Sequence, residues 1–319
     1  MAHCVLIIST HFATTLAVAS TIDYSHWKHL GLDFNRPGEW PGKCHQGNKQ
    51  SPININANMA VKEDDVQPFI FHGYDRRGYT SLINNGHTIK FEIDKGRHEL
   101  PWIQGGGLDN FEYQFEQGHF HWGLHNDKGS EHHFYNQPAP MELHLVHFNR
   151  HLYKDFDDAI RLPSVGNSIV NLAVIYKIGR PNIKLDVIFK ALREKEFSVH
   201  AHALPEGIKL IDFLPENTRE FYRYDGSMTT PGCSEISSWT IFKHQVEIAQ
   251  AQMEILRKIE YIENNNKSTL LGSNSRSIQN TNQRTVRFIT TRNVSSSKNK
   301  LNLRNKYALG IIFLLRSVN

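Results

Sequence analysis

The sequence predicts a single domain of mixed but β-dominated architecture, and three observations carry that reading. A chain of 319 residues with 39% hydrophobic content can bury one large core. Its interior alternates short apolar runs with Gly, Pro and Asn punctuation, the pattern of many short strands. Helical spacing is confined to two segments, 183–192 and 242–262.

Taken in order, residues 81–83, 88–93 and 113–116 read as half-buried strands. Asn84-Asn85-Gly86 forms the turn that sets His87 at the start of the second of them. Residues 169–178 are a longer, mostly apolar run. Ile183-Lys184-Leu185 opens a helix continuing to Leu192. The 242–262 segment places Val246, Ala249, Met253, Leu256 and Ile259 on one helical face and contains no proline.

The formal charge of +4 is unevenly spread. From Asn264 onward there are ten Lys or Arg and no Asp or Glu, leaving 26 basic against 32 acidic residues in the rest. A basic tail on a mildly acidic domain argues against a nucleic-acid-binding core. There is no internal repeat and no P-loop.

Both ends carry processing signals. Val5-Leu6-Ile7-Ile8 opens an apolar stretch closing with Ala17-Val18-Ala19, which predicts a signal peptide over 1–19, cut near Ala19-Ser20. A buried N-terminal element is the alternative. After the central domain, 20–294, comes the tail 295–319. Small residues near Ser295, a polar spacer over 298–306 and an apolar run over 307–315 resemble a GPI-attachment signal, with a disordered basic tail as the alternative. The run is too short to span a bilayer. Asn266-Lys267-Ser268 and Asn293-Val294-Ser295 are acceptor sequons in a secreted chain.

Chemistry concentrates in two stretches. Gly118-His119-Phe120-His121-Trp122-Gly123 puts His119 and His121 on one face of a strand, because side chains alternate. In Met141-Glu142-Leu143-His144-Leu145-Val146-His147, Glu142, His144 and Val146 likewise share a face. If the strands are neighbours, three imidazoles converge and leave a fourth tetrahedral position open, the arrangement of a catalytic Zn2+ rather than a structural one. Gln117 and Glu142, each two residues before a histidine and on its face, are candidates to bond the other ring nitrogen. Copper or a structural ion is the alternative for the cluster. The lack of a His-Glu-x-x-His run argues against a zincin-type protease.

These two stretches resemble an α-class carbonic anhydrase. Gln50-Ser51-Pro52-Ile53-Asn54-Ile55, Asn84-Asn85-Gly86-His87, Gly129-Ser130-Glu131-His132 and Tyr224-Asp225-Gly226-Ser227-Met228-Thr229-Thr230-Pro231 are similar to further segments of that family. They occur in family order from about Trp27 to Val294. The resemblance implies a large, mostly antiparallel twisted central sheet with small peripheral helices, and a closing strand over 282–292. It implies a zinc enzyme that reversibly hydrates CO2 to bicarbonate and a proton through a zinc-bound hydroxide. A catalytically silent binding domain of the same family is the alternative.

The resemblance also distributes roles. His119, His121 and His144 hold the zinc. Thr229 orients the nucleophile and passes its own proton to Glu131, and His87 shuttles protons to solvent. Val146, Met228, Thr229, Thr230 and Trp239 surround the substrate, and Cys44 pairs with Cys233 as in extracellular members; two unpaired thiols are the alternative. The predicted setting is therefore secreted or at the outer face of the plasma membrane, touching membrane only through an anchor. Several positions depart from the family. Asn171 and Ser237 stand where it usually has valine, and Gly118 stands where it usually has phenylalanine, which predicts lost packing behind the metal. Phe148 replaces a tryptophan, and His29 stands near an expected tyrosine. His132, His133, His147 and His151 read as surface or structural.

Overall fold

The computed structural model describes residues 39–293, except for residues 95, 97–98, 164–167, 195–200 and 263–266. The predicted signal peptide, His29, the C-terminal tail and, of the two sequons, Asn266, Val294 and Ser295 lie outside the described residues. Ten strands form the main path of a 13-stranded sheet: β1 (Val61–Val66), β2 (Gly78–Asn84), β3 (Ile89–Ile93), β4 (Tyr113–Trp122), β5 (Met141–Asn149), β6 (Ile169–Ile178), β7 (Ala201–Ile208), β8 (Glu220–Gly226), β9 (Ser237–Phe242) and β10 (Arg287–Thr291). Their order is β7-β2-β3-β4-β5-β6-β9-β8-β10-β1. Pairing is antiparallel except where β6 meets β9 and β10 meets β1, and where the short strand Val246–Ile248 joins β6 in parallel. The helices are small and peripheral: α1 (Lys43–Gln46), α2 (Phe156–Arg161), α3 (Asp186–Glu194) and α4 (Gln250–Arg257). The β-dominated fold class expected from the sequence is the fold observed.

The central strands show why two faces are needed. Every residue of β5 is buried. Leu143 and Leu145 face the main core with Val170, Leu172 and Val174 of β6, while Glu142, His144 and Val146 face the other way. A core strand that is half polar is stable only if those polar groups are bonded.

On β4 a bulge changes the phase. Phe115 pairs with His147 and Gln117 with Val146, so Glu116 is the extra residue. Without it, strict alternation would put Phe115 on the same face as His119. With it, Tyr113 and Phe115 enter the main core while Gln117, His119 and His121 face the opposite side.

Two sequence expectations are corrected. The 242–262 segment is not one helix; only α4 is α-helical, flanked by strands at Val246–Ile248 and Glu260–Ile262. Val246–Ile248 pairs with Tyr176–Ile178, so ladder hydrogen bonds override the helical spacing there. The predicted packing defect at Gly118 is also absent. Phe91, its register partner on β3, lays its ring where a Gly118 Cβ would stand and packs against Phe115, Phe120 and Phe213.

Candidate metal centre

His119 of β4 and His144 of β5 are directly opposed across the strand pair, and His121 is opposed to Glu142. One ring nitrogen of each histidine is already engaged. His119 Nδ1–H donates to Gln117 Oε1 at 2.9 Å, His121 Nδ1–H to the Asn274 carbonyl at 2.9 Å, and His144 Nε2–H to Glu142 Oε1 at 2.7 Å. That leaves His119 Nε2, His121 Nε2 and His144 Nδ1 facing one another. The three histidines offer ligand atoms all within 4.8 Å of one another. His119 Nε2 and His144 Nδ1 are 3.2 Å apart, and His121 Nε2 is buried with no partner.

Electrostatics favour neutral rings. Burial, reinforced by the neighbouring imidazoles, pushes His119 well below the ordinary histidine range, and burial together with His121 lowers His144. Burial alone would raise the Glu142 carboxyl. His132 and His144, which both bond to it, nevertheless hold it well below the carboxylate range. Three imidazoles that converge through buried ring nitrogens suit a borderline-soft divalent cation, Zn2+ foremost.

Behind the triad runs a network that sequence reading did not find. His132, set aside among surface or structural histidines, donates its backbone N–H to Glu142 Oε2 and its Nδ1–H to Oε1. Its Nε2 lies 2.7 Å from the Tyr224 hydroxyl, which donates to Ser51 Oγ. Ser51 in turn accepts the Ser227 N–H at the base of the Thr229 loop. Asn274 bonds His121 through its carbonyl and ties Trp122, His87 and Phe120 through its side chain. It is 153 positions from His121, so no local signal could have revealed it.

The triad opens into a cleft of about 620 Å³ lined by His87, Gln117, Val146, Asn171, Met228, Thr229, Thr230 and Trp239 among others. Trp239 packs edge-on to His144, and its indole N–H donates to the Ser227 carbonyl. The Cys44–Cys233 disulfide, closing a separation of 189 residues, anchors the far end of the Thr229 loop.

Not every predicted pairing is joined. Glu131 Oε1 accepts the Arg276 N–H, while Oε2 is buried without a hydrogen bond, and no hydrogen bond links Thr229 to Glu131 among the described residues. His87 lines the cleft but is only 8% exposed. Burial, with His121 and Lys90 adding like charge, lowers it to about 3. A ring held neutral over the physiological range exchanges protons less readily than one poised near pH 7.

A sheet that brings three half-bonded histidines to the floor of a cleft defines a β-sheet protein with a candidate metal centre. The family model of eukaryotic-type carbonic anhydrases matches residues 35–290, and the chain belongs to that family, a family of lyases. It is 34% identical to carbonic anhydrase 15 of Mus musculus over 72% of this chain and 68% of that protein. It is 34% identical to carbonic anhydrase 12 of Homo sapiens over 75% of this chain and 66% of that protein. Carbonic anhydrase 4 of Rattus norvegicus is 31% identical over 76% of this chain and 79% of its own length.

Proposed function

We propose that the protein reversibly hydrates CO2 to bicarbonate and a proton at a zinc ion held by His119, His121 and His144. The observation that carries this reading is the set of three mutually facing ring nitrogens, each on a ring whose other nitrogen is hydrogen-bonded. Bound there, zinc supplies the Lewis acidity that ionises a water near neutral pH; carbonic anhydrase is itself the standard example of that chemistry. Gln117, Glu142 and the Asn274 carbonyl fix ring tautomer and orientation.

The remaining steps fall to the chain's own side chains. Glu131 Oε2, buried and without a hydrogen bond among the described residues, is the acceptor available to the Thr229 hydroxyl proton. With that proton engaged, the Thr229 oxygen can only accept, which orients the attacking group toward the carbon of CO2. Val146, Met228 and Trp239 line the side where an apolar gas would wait. His87 is the candidate to move the product proton to solvent. Stopped-flow CO2 hydration should be fast, vanish on chelation and return with Zn2+. A zinc-loaded protein that does not hydrate CO2 would refute the reading.

We also assign the enzyme to an oxidising compartment, secreted or held at the outer face of the plasma membrane. The disulfide supports this, since such bonds persist outside the reducing cytosol. Among the described residues no helix is long and apolar enough to cross a membrane. A signal peptide over 1–19, glycosylation at Asn266 and Asn293, and a GPI anchor within 295–319 belong to the same proposal. Phospholipase C release from expressing cells tests the anchor, and intact residues 307–319 on the mature chain would reject it.

A further inference from the structure

The cleft wall carries a polar group that an apolar gas does not call for. Asn171 sits on β6 in register with Val146 on one side and Trp239 on the other, two register pairs from the His119–His144 row and on the same face. It is 2% exposed and lines the cleft, yet its Nδ2 is buried with no hydrogen-bond partner among the described residues. A buried donor without an acceptor is destabilising, and such groups are few in native proteins. Its neighbours cannot satisfy it. Val146 has no polar side-chain atom, and the Trp239 indole is itself a donor, committed to the Ser227 carbonyl. The Ser237 hydroxyl, two residues before Trp239, is turned to the Met228 sulfur at 3.4 Å. A ligand entering the cleft beside Asn171 could bring that acceptor.

Of the two species the proposed reaction interconverts, CO2 is a poor acceptor and bicarbonate, an oxyanion, a strong one. Resting on the carbonic-anhydrase reading, we propose that Asn171 is a specificity-determining residue. Its amide donates to an oxygen of bicarbonate, and of small carboxylates such as formate, so the cleft retains oxyanions more tightly than a valine-walled one. The consequence is stronger product binding and greater sensitivity to small carboxylates, with the overall equilibrium unchanged.

Asn171→Val and Asn171→Thr form the test, because the two replacements have the same shape and differ by a hydroxyl donor. Formate and bicarbonate are titrated calorimetrically into zinc-loaded parent and variants, with CO2 hydration measured in parallel. Asn171→Val should weaken both anions about fivefold, the factor for one net hydrogen bond. Asn171→Thr should restore most of that loss. The metal-free Asn171→Val protein should melt a few degrees higher, since the unpaired amide is gone. Equal anion affinity in parent and Asn171→Val, or equal loss in Val and Thr, would overturn the role of Asn171. Absence of hydration in the zinc-loaded parent would instead refute the underlying function.

Discussion

Phe91 and Gly118 are cross-strand partners, and the ring of one occupies the volume that the missing side chain of the other leaves free. The strand carrying two metal-binding candidates is thus packed from its neighbour rather than from itself.

That exchange is testable. Phe91→Ala should cost about 3–5 kcal/mol by opening a cavity beneath β4. Gly118→Phe alone should cost about 1–3 kcal/mol or more by overpacking. Combined, the two changes should recover much of the loss, because one ring replaces the other. Urea denaturation of all four proteins gives the coupling, and strict additivity would show that the two positions do not share this space.

Acid stability should reflect His147. Fully buried, it accepts the Tyr74 hydroxyl at Nε2 and donates Nδ1–H to the Val170 carbonyl, and burial lowers it to about 3. The unfolded chain binds this proton near pH 6.5 and the native one only near 3. Stability from the neutral ring is therefore fully present above about 6.5 and lost as pH falls toward 3, at about 1.4 kcal/mol per pH unit. His147→Gln should be less stable overall but show a slope shallower by one proton between these limits. An unchanged slope would mean that His147 titrates normally.

Proton delivery should depend on Lys90. It pairs with Glu92 at 2.7 Å and adds like charge beside His87. Burial is the larger cause, so Lys90→Gln should raise the proton affinity of His87 only in part and speed hydration in weak buffer modestly. His87→Ala should slow it about tenfold or more, with rescue by imidazole buffer. Identical weak-buffer rates for all three proteins would exclude His87 as the proton carrier.

Replacing both Cys44 and Cys233 by serine should cost about 2–5 kcal/mol, since the bond closes a long loop in the unfolded chain. Thermal denaturation with and without reductant reads this directly. A parent whose melting is insensitive to reductant would contradict it.

Much of the fold was legible because strand alternation is local: β2, β3 and the face shared by His119 and His121 follow from spacing of two. The bulge at Glu116 was not, because one extra residue leaves no compositional trace while reversing the face of everything before it. The 242–262 segment misled because the same apolar residues serve a strand pairing with β6 and then a short helix. Gln117 and Glu142 could be suspected from their positions two before a histidine. Asn274, His132 and Tyr224 could not, since their contacts with the triad and its supports depend on tertiary structure. Asn171 was visible only as a departure, and its unpaired amide only in the folded wall.

The central claim is that three imidazoles hold the metal on which activity depends, and His144 tests it most directly. Its opposition to His119 and its bond to Glu142 place it at the junction of the candidate ligands and their supports. The measurement is zinc stoichiometry of purified His144→Ala protein, with CO2 hydration on the same sample. The account predicts loss of most zinc and nearly all hydration in a protein that remains folded. Stoichiometric zinc with parental hydration would contradict it.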